Sequence, residues 1–328
     1  MPDIISSGSN PRIRKLVELQ KKAKVRRETG LFVIEGTRLC SDTPPQYIKE
    51  VYATENRIKN ASEKEKILLR DHPLTIVTEE VMAKAADTTT PQGIMCVARM
   101  PVYSRESLLG KQAGERQNRR QDKRQDRRQD KTQDETQYKP QNRRQDRRQD
   151  RRQDKTQEAG GRDVAAGRAP LLLVLEDIQD PGNLGTIFRT AEAAGATGII
   201  MSRGTVDLFH PKVVRATMSA IFRMPFYISN DLCSEVCALR EKGIRSYAAH
   251  LGGKRIYDEL PLTQGCAFLI GNEGNGLTEA LTAQADEKII IPMAGSAESL
   301  NAAMAAGILM YEAARQRRIA CGRTGIGE

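Results

Sequence analysis

Side chains with chemical use gather in three stretches of the 328-residue sequence: LLLVLEDIQDPGNLGTIFRTAEAAGA (171–196), AFLIGNEGNGL (267–277) and IIIPMAGSAESLNAAMAAGILMYEAARQRR (289–318). The first reads as a strand, an Asp-Pro-Gly turn and a helix, with Asn183 as a natural N-cap and Arg189 six residues on. Taken alone, that pair needs no ligand, because a capping Asn and a surface Arg189–Glu192 pair suit any α/β protein. The second is a strand running into a Gly-rich loop, Gly271 to Gly276, where the backbone can approach a ligand closely. The third is a buried-strand run, Ile289 to Ile291, halted by Pro292 and followed by a helix opening near Glu298 or Ser299. Ser299 and Asn301 then fall in a first helical turn, where unpaired N–H groups favour anions and polar ligands. The three histidines, His72, His210 and His250, show no ligand spacing and read as structural. Cys233 and Cys237 share a helix face without the second pair that a zinc site needs, so no metal site is indicated.

The elements that must position these residues follow from hydrophobic periodicity. Strands are predicted at 171–178, 198–202, 225–229, 245–251, 266–271 and 288–293. Helices alternate with them at 184–195, 211–221, 231–242, 277–284 and 299–317. The result is an α/β fold with a doubly wound parallel sheet over 169–318, and its first strand is near-continuously apolar, as burial on both faces requires. In the last helix, Leu300, Met304, Ile308 and Tyr311 recur at helical spacing and alanines fill the other positions. No GxGxxG follows the first strand, which disfavours a Rossmann dinucleotide site. Residues 1–103 read as a smaller α/β domain: a helix from Asn10-Pro11 to Gly30, strands at 31–36, 48–54, 74–79 and 92–100, and a short helix to Ser41 that Pro44-Pro45 keeps from continuing. Arg12, Arg14, Lys15, Lys21, Lys22, Lys24, Arg26 and Arg27 give that first helix a basic surface suited to phosphate contact.

The three stretches, in this order and spacing, closely resemble the three motifs of the SpoU (TrmH-like) branch of the SPOUT methyltransferases. Residues 10–39 resemble the ribosomal-protein-like substrate-binding domain that precedes many of them. The resemblance implies a parallel sheet closed by a C-terminal trefoil knot, a homodimer, and methyl transfer from S-adenosylmethionine to a ribose 2′-hydroxyl of RNA, ribosomal RNA before transfer RNA. It implies catalytic roles for Asn183, Arg189, Glu273, Ser299 and Asn301, with Arg189 facing the reacting ribose and Glu273 holding the site's shape. It implies a cofactor pocket from Gly271, Asn272, Gly274, Gly276, Ile291, Met293 and Leu300. An Arg is always protonated, so charge stabilisation at a phosphate is a physically easier role for Arg189 than proton acceptance. A different class of protein, a catalytically silent RNA-binding relative, would be signalled by loss of Asn183, Arg189, Glu273 or Asn301, and all four are present. Lys212 and Arg215 fall in the segment between the motifs, either in contact with RNA or on a solvated helix face.

The net charge of +10 is misleading as a sign of nucleic-acid binding. Residues 104–168 carry 20 Lys+Arg against 12 Asp+Glu, leaving only +2 for the rest. In that segment QNRRQD occurs at 117 and 141 and DKTQ at 130 and 154, both offset by 24, the mark of a duplicated tract. Its RRQD unit places like charges at i, i+4, which opposes a helix, and it lacks apolar residues for a core, so it reads as a linker. Residues 319–328 read as a tail. No apolar run is long enough for a membrane span, no secretory h-region opens the chain, and the scattered cysteines suit reduced thiols, so a cytoplasmic setting is expected.

Overall fold

The computed structural model describes residues 4–109 and 169–322, and the repeat tract lies outside the described residues. The N-terminal part consists of β1 (Ile4–Ile5), α1 (Pro11–Lys21), α2 (Ala23–Thr29), β2 (Leu31–Glu35), α3 (Thr37–Ser41), β3 (Ile48–Thr54), α4 (Glu55–Lys59), α5 (Glu63–Asp71), β4 (Leu74–Val77), α6 (Glu79–Ala85) and β5 (Ile94–Arg99). Its five strands form one sheet in the order β1-β4-β3-β5-β2, with β5 antiparallel to both neighbours.

The single helix expected over 10–30 is two. The chain becomes extended at Lys22 (φ −114°, ψ 106°) between α1 and α2. The cause is Arg26, which the sequence placed on the basic surface but which is 2% exposed. Its guanidinium donates to the carbonyls of Leu19 (2.7 Å) and Gln20 (2.9 Å) at the end of α1, and to the Asp207 carboxylate (2.5 and 3.0 Å) in the C-terminal part. The other seven basic residues of the segment are exposed.

Past β5, α7 (Arg105–Leu109) corrects the expected start of the linker. Leu108 is buried over Gly198, and Arg105 pairs with Glu235 at 2.7 Å, so the chain is structured through residue 109 rather than ending its order at 103. The C-terminal part then runs β6 (Leu171–Leu175), α8 (Pro181–Ala194), β7 (Gly198–Ser202), α9 (Pro211–Thr217), β8 (Phe226–Ser229), α10 (Leu232–Glu241), β9 (Arg245–Ala249), β10 (Arg255–Ile256), β11 (Cys266–Ile270), α11 (Glu279–Gln284), β12 (Glu287–Ile290) and α12 (Ala302–Ala320). Its seven strands are all parallel, in the order β10-β12-β9-β11-β6-β7-β8. Two-residue β10 has no run for periodicity to detect. Helix α9 ends at Thr217, shorter than expected, because Met218 and Ser219 adopt left-handed backbone.

Strand alternation divides the core. Leu171, Leu173 and Leu175 of β6 face α8 and α12, whereas Leu172 and Val174 face α10 and α11. Apolar residues of the N-terminal part join the first of these layers: Phe32 lies 4.9 Å from Phe209 and Tyr47 4.8 Å from Phe222, centroid to centroid. The face of α12 buried in that layer is Ala302, Ala303, Ala306, Leu309, Met310 and Ala313. Leu300, Met304 and Tyr311, three of the four residues of the stripe read from sequence, are instead exposed, at 36%, 58% and 52%.

Candidate active site

The candidate residues meet at the carboxyl ends of the parallel strands, where open α/β sheets place their ligands. Chain leaving β6, β9, β11 and β12 supplies residues 176–180, 250–253, 271–277 and 291–301. Between the last three segments lies a cavity of 340 Å³, within the usual size of a small-molecule site. Gly271, Asn272, Glu273, Gly274, Gly276, Ile291, Met293, Ser299 and Leu300 all line it. A Cβ at Gly271 would sit 2.1 Å from the carbonyl carbon of Gly276, and Gly276 itself is at φ +69°, so this loop folds back on itself only with glycine at both places. Backbone hydrogen bonds between Asn272 and Gly276 (3.0 and 2.9 Å) close it.

At the rim, Glu273, Asn183 and Asn301 form one relay. Glu273 accepts from the backbone N–H groups of Gln179 (3.0 Å) and Asp180 (3.1 Å) and from Nδ2 of Asn183 (2.9 Å). Oδ1 of Asn183 accepts from Nδ2 of Asn301 (2.8 Å), and Oδ1 of Asn301 accepts from the N–H groups of Ala303 and Met304. An ionised carboxylate only accepts, so Glu273 dictates which end of each amide faces which way, down to the cap of α12. Burial alone would raise the Glu273 carboxyl, but these hydrogen bonds outweigh it and hold it below its ordinary range.

Two local readings change. The N-cap of α8 is Asp180, whose carboxylate takes the Asn183 N–H at 2.7 Å with Pro181 at the first helical position, which leaves the Asn183 side chain for the relay. Helix α12 begins at Ala302, with Asn301 as its cap, so Ser299 lies in the preceding loop rather than in a first turn.

Arg189 stands apart. It is exposed on α8, six residues and about 9 Å of helix rise beyond Asn183, and is absent from the cavity lining. The anticipated partner Glu192 instead binds Arg223 at 2.8 Å, and Arg189 has no hydrogen bond or ion pair among the described residues. Arg215 is also taken: it pairs with Asp87 of the N-terminal part at 2.7 Å, while Lys212 remains exposed. His210 caps α9 through Nδ1, with its imidazole held below the ordinary value chiefly by burial and then by the Arg26 charge. His250 lines the cavity, and its Nδ1 accepts from the Gly252 N–H at 2.9 Å.

Sequence reading missed Glu176, which fastens the end of the glycine loop by accepting from the N–H (2.7 Å) and hydroxyl (2.8 Å) of Thr278. It also missed Asp177, Gln179 and Asp180. A run of polar residues directly after a buried strand was the available signal.

Residues 170–311 match the SpoU rRNA methylase family, and residues 10–96 match the MRM3-like substrate-binding domain. The chain is 29% identical over 310 residues to the 23S rRNA (guanosine(2553)-2′-O)-methyltransferase RlmP of Bacillus subtilis, covering 94% of this chain and 97% of that one. It is 36% identical over 157 residues to an uncharacterized tRNA/rRNA methyltransferase of Mycolicibacterium paratuberculosis, about half of each chain. Among solved structures, the AdoMet-bound rRNA methyltransferase from Sinorhizobium meliloti superposes with a TM-score of 0.69 at 27% identity, covering 96% of this chain and 98% of that one. AviRb from Streptomyces viridochromogenes, at 24% identity and a TM-score of 0.68 over 94% of this chain and 98% of that one, shares the fold. With the fold, the ordered motifs and both domain matches in agreement, residues 170–311 form a SpoU-family methylase domain behind an MRM3-like substrate-binding domain.

Proposed function

We propose that this protein transfers a methyl group from S-adenosylmethionine to a ribose 2′-hydroxyl of structured RNA, with ribosomal RNA as the first substrate class and transfer RNA the second. The observation that carries this reading is the Glu273–Asn183–Asn301 relay at the rim of the glycine-walled cavity. The cavity fits the cofactor: Ile289, Ile291, Met293 and Leu300 supply apolar wall for an adenine, and the close-packed loop from Gly271 to Gly276 exposes backbone groups where side chains would intrude. S-adenosylmethionine supplies the methyl group on a sulfonium, already a good leaving group. The protein's share is therefore positioning and electrostatics.

In this reading Gly271, Asn272, Gly274, Gly276, Ile291, Met293 and Leu300 hold the cofactor. Glu273, Asn183 and Asn301 fix the rim, and Ser299 presents a hydroxyl to the ribose. Unpaired Arg189 holds the phosphate beside that ribose, a fork of donors suited to phosphate oxygens. The exposed cations of α1 and α2, with Lys212, bind RNA backbone without reading sequence. The Bacillus relative's name supports the ribosomal substrate.

The protein works as a cytoplasmic homodimer. Met304, Tyr311 and Ile319 leave one face of α12 apolar and more than half exposed, as a helix seam would be. The trefoil knot belongs to the same proposal. Strand β12 lies outside β9, yet α12 returns beneath β6 and β11, where Arg317 donates to the carbonyls of Ala169, Pro170, Leu262 and Gln264.

The test is calorimetric titration with S-adenosylmethionine, followed by methylation of deproteinised ribosomal RNA and mapping of the modified ribose. Micromolar cofactor binding, ribose methylation and loss of turnover in Arg189→Ala with unchanged binding are expected. Absence of cofactor binding in folded protein would replace this reading with that of an RNA-binding protein.

A further inference from the structure

Asp177, in the turn between β6 and α8, is one of three non-glycine residues with left-handed backbone among the described residues, at φ +53°. Asp is one of the few side chains that tolerate this region, given a local hydrogen bond. Here Ser202 provides it twice: its hydroxyl donates to Oδ1 of Asp177 at 2.6 Å and accepts from the Asp177 N–H at 2.8 Å. Gly204 gives the carboxylate room, since a Cβ there would stand 2.1 Å from Oδ1. Held this way, the Asp177 carbonyl accepts from Nδ2 of Asn272 at 2.8 Å. That bond turns Oδ1 of Asn272 toward the N–H groups of Gly274 (2.9 Å) and Asn275 (3.1 Å), the apex of the glycine loop.

We propose that Asp177 is a positioning residue for the cofactor loop, acting through Asn272: Ser202 on β7 fixes Asp177, Asp177 fixes Asn272, and Asn272 fixes the loop backbone. The inference rests on the assignment of this loop to S-adenosylmethionine. Geometry rather than charge carries the effect, because the contact passed on is a backbone carbonyl. Asn at 177 tolerates the same backbone region and keeps an acceptor for Ser202, so it restores the effect. Ala keeps neither advantage.

The experiment titrates wild type, Asp177→Ala, Asp177→Asn, Ser202→Ala and the Asp177→Ala/Ser202→Ala double variant with S-adenosylmethionine by calorimetry, and measures melting temperature and turnover on ribosomal RNA at saturating cofactor. Asp177→Ala and Ser202→Ala should each raise the cofactor Kd about tenfold and the double variant little further, with turnover at saturation within about twofold and Asp177→Asn near wild type. Unchanged Kd in Asp177→Ala would overturn the proposal. So would an Asp177→Asn variant as weak as Ala, which would assign the effect to the carboxylate charge, or a loss of turnover with intact Kd. Wild type that binds no S-adenosylmethionine would instead defeat the cofactor assignment itself.

Discussion

Replacing Ser219 with Gly should stabilise this protein. Ser219 is 1% exposed at φ +70°, and its buried hydroxyl has no hydrogen-bond partner among the described residues. Left-handed backbone costs an L-residue about 1–2 kcal/mol. An unsatisfied buried hydroxyl costs about 1–3 kcal/mol. Against these stand about 0.5–1 kcal/mol for the greater freedom of glycine in the unfolded chain and a smaller loss of packing. The net gain is about 1–4 kcal/mol, and each kcal/mol raises the melting temperature of a chain of this size by about 1.5–2 °C. The assay is urea denaturation with thermal melts of wild type, Ser219→Gly and Ser219→Ala. Alanine recovers only the hydroxyl share, so the difference between the two variants isolates the backbone share. A Ser219→Gly protein no more stable than wild type would refute the reasoning, because one of the two penalties would then not exist.

The remaining predictions concern the joint between the two parts, the relay and the tract. Arg26→Met should cost about 3–5 kcal/mol in urea denaturation, since it leaves Asp207 without its partner and two carbonyls without donors; a loss below 1 kcal/mol would show that the joint is not held there. Glu273→Gln replaces one acceptor oxygen by a donor that must face at least the Gln179 N–H, and should weaken S-adenosylmethionine binding about tenfold by calorimetry. In wild type the folded protein holds the Glu273 carboxyl below its unfolded value of 4.5, so its contribution is complete above that pH and fades as pH falls through the lowered value. Cofactor affinity should accordingly be flat from pH 8 to about 5, and an earlier decline would contradict the assignment. Deleting 110–168 should leave the melting temperature within about 2 °C, whereas a deletion that begins at 104 removes Leu108 and the Arg105–Glu235 pair and should lower it further.

The sheet was legible because its strands are short, near-continuous apolar runs, as burial on both faces requires: GIIMS at 198–202 is a strand to the residue. The glycine loop was legible because steric exclusion leaves a mark in sequence that longer-range contacts do not. Helix ends were less so. Both Asp180 and Asn183 can cap a helix, and only the choice of Asn183 by Glu273, 90 residues away, decides between them. Met304 and Tyr311 fall on one helical stripe, but periodicity reports a face without reporting what lies opposite it. Arg26 shows the limit most plainly: among eight cations in one segment, nothing local distinguishes the one whose partner is Asp207.

The two ends of the repeat tract have a particular address. Leu108 lies over the first residue of β7, and Ala169 precedes β6, so both ends sit at the amino ends of adjacent strands. The cavity is at the carboxyl ends, one five-residue strand or about 17 Å away. The same junction is the natural place to graft a reporter domain.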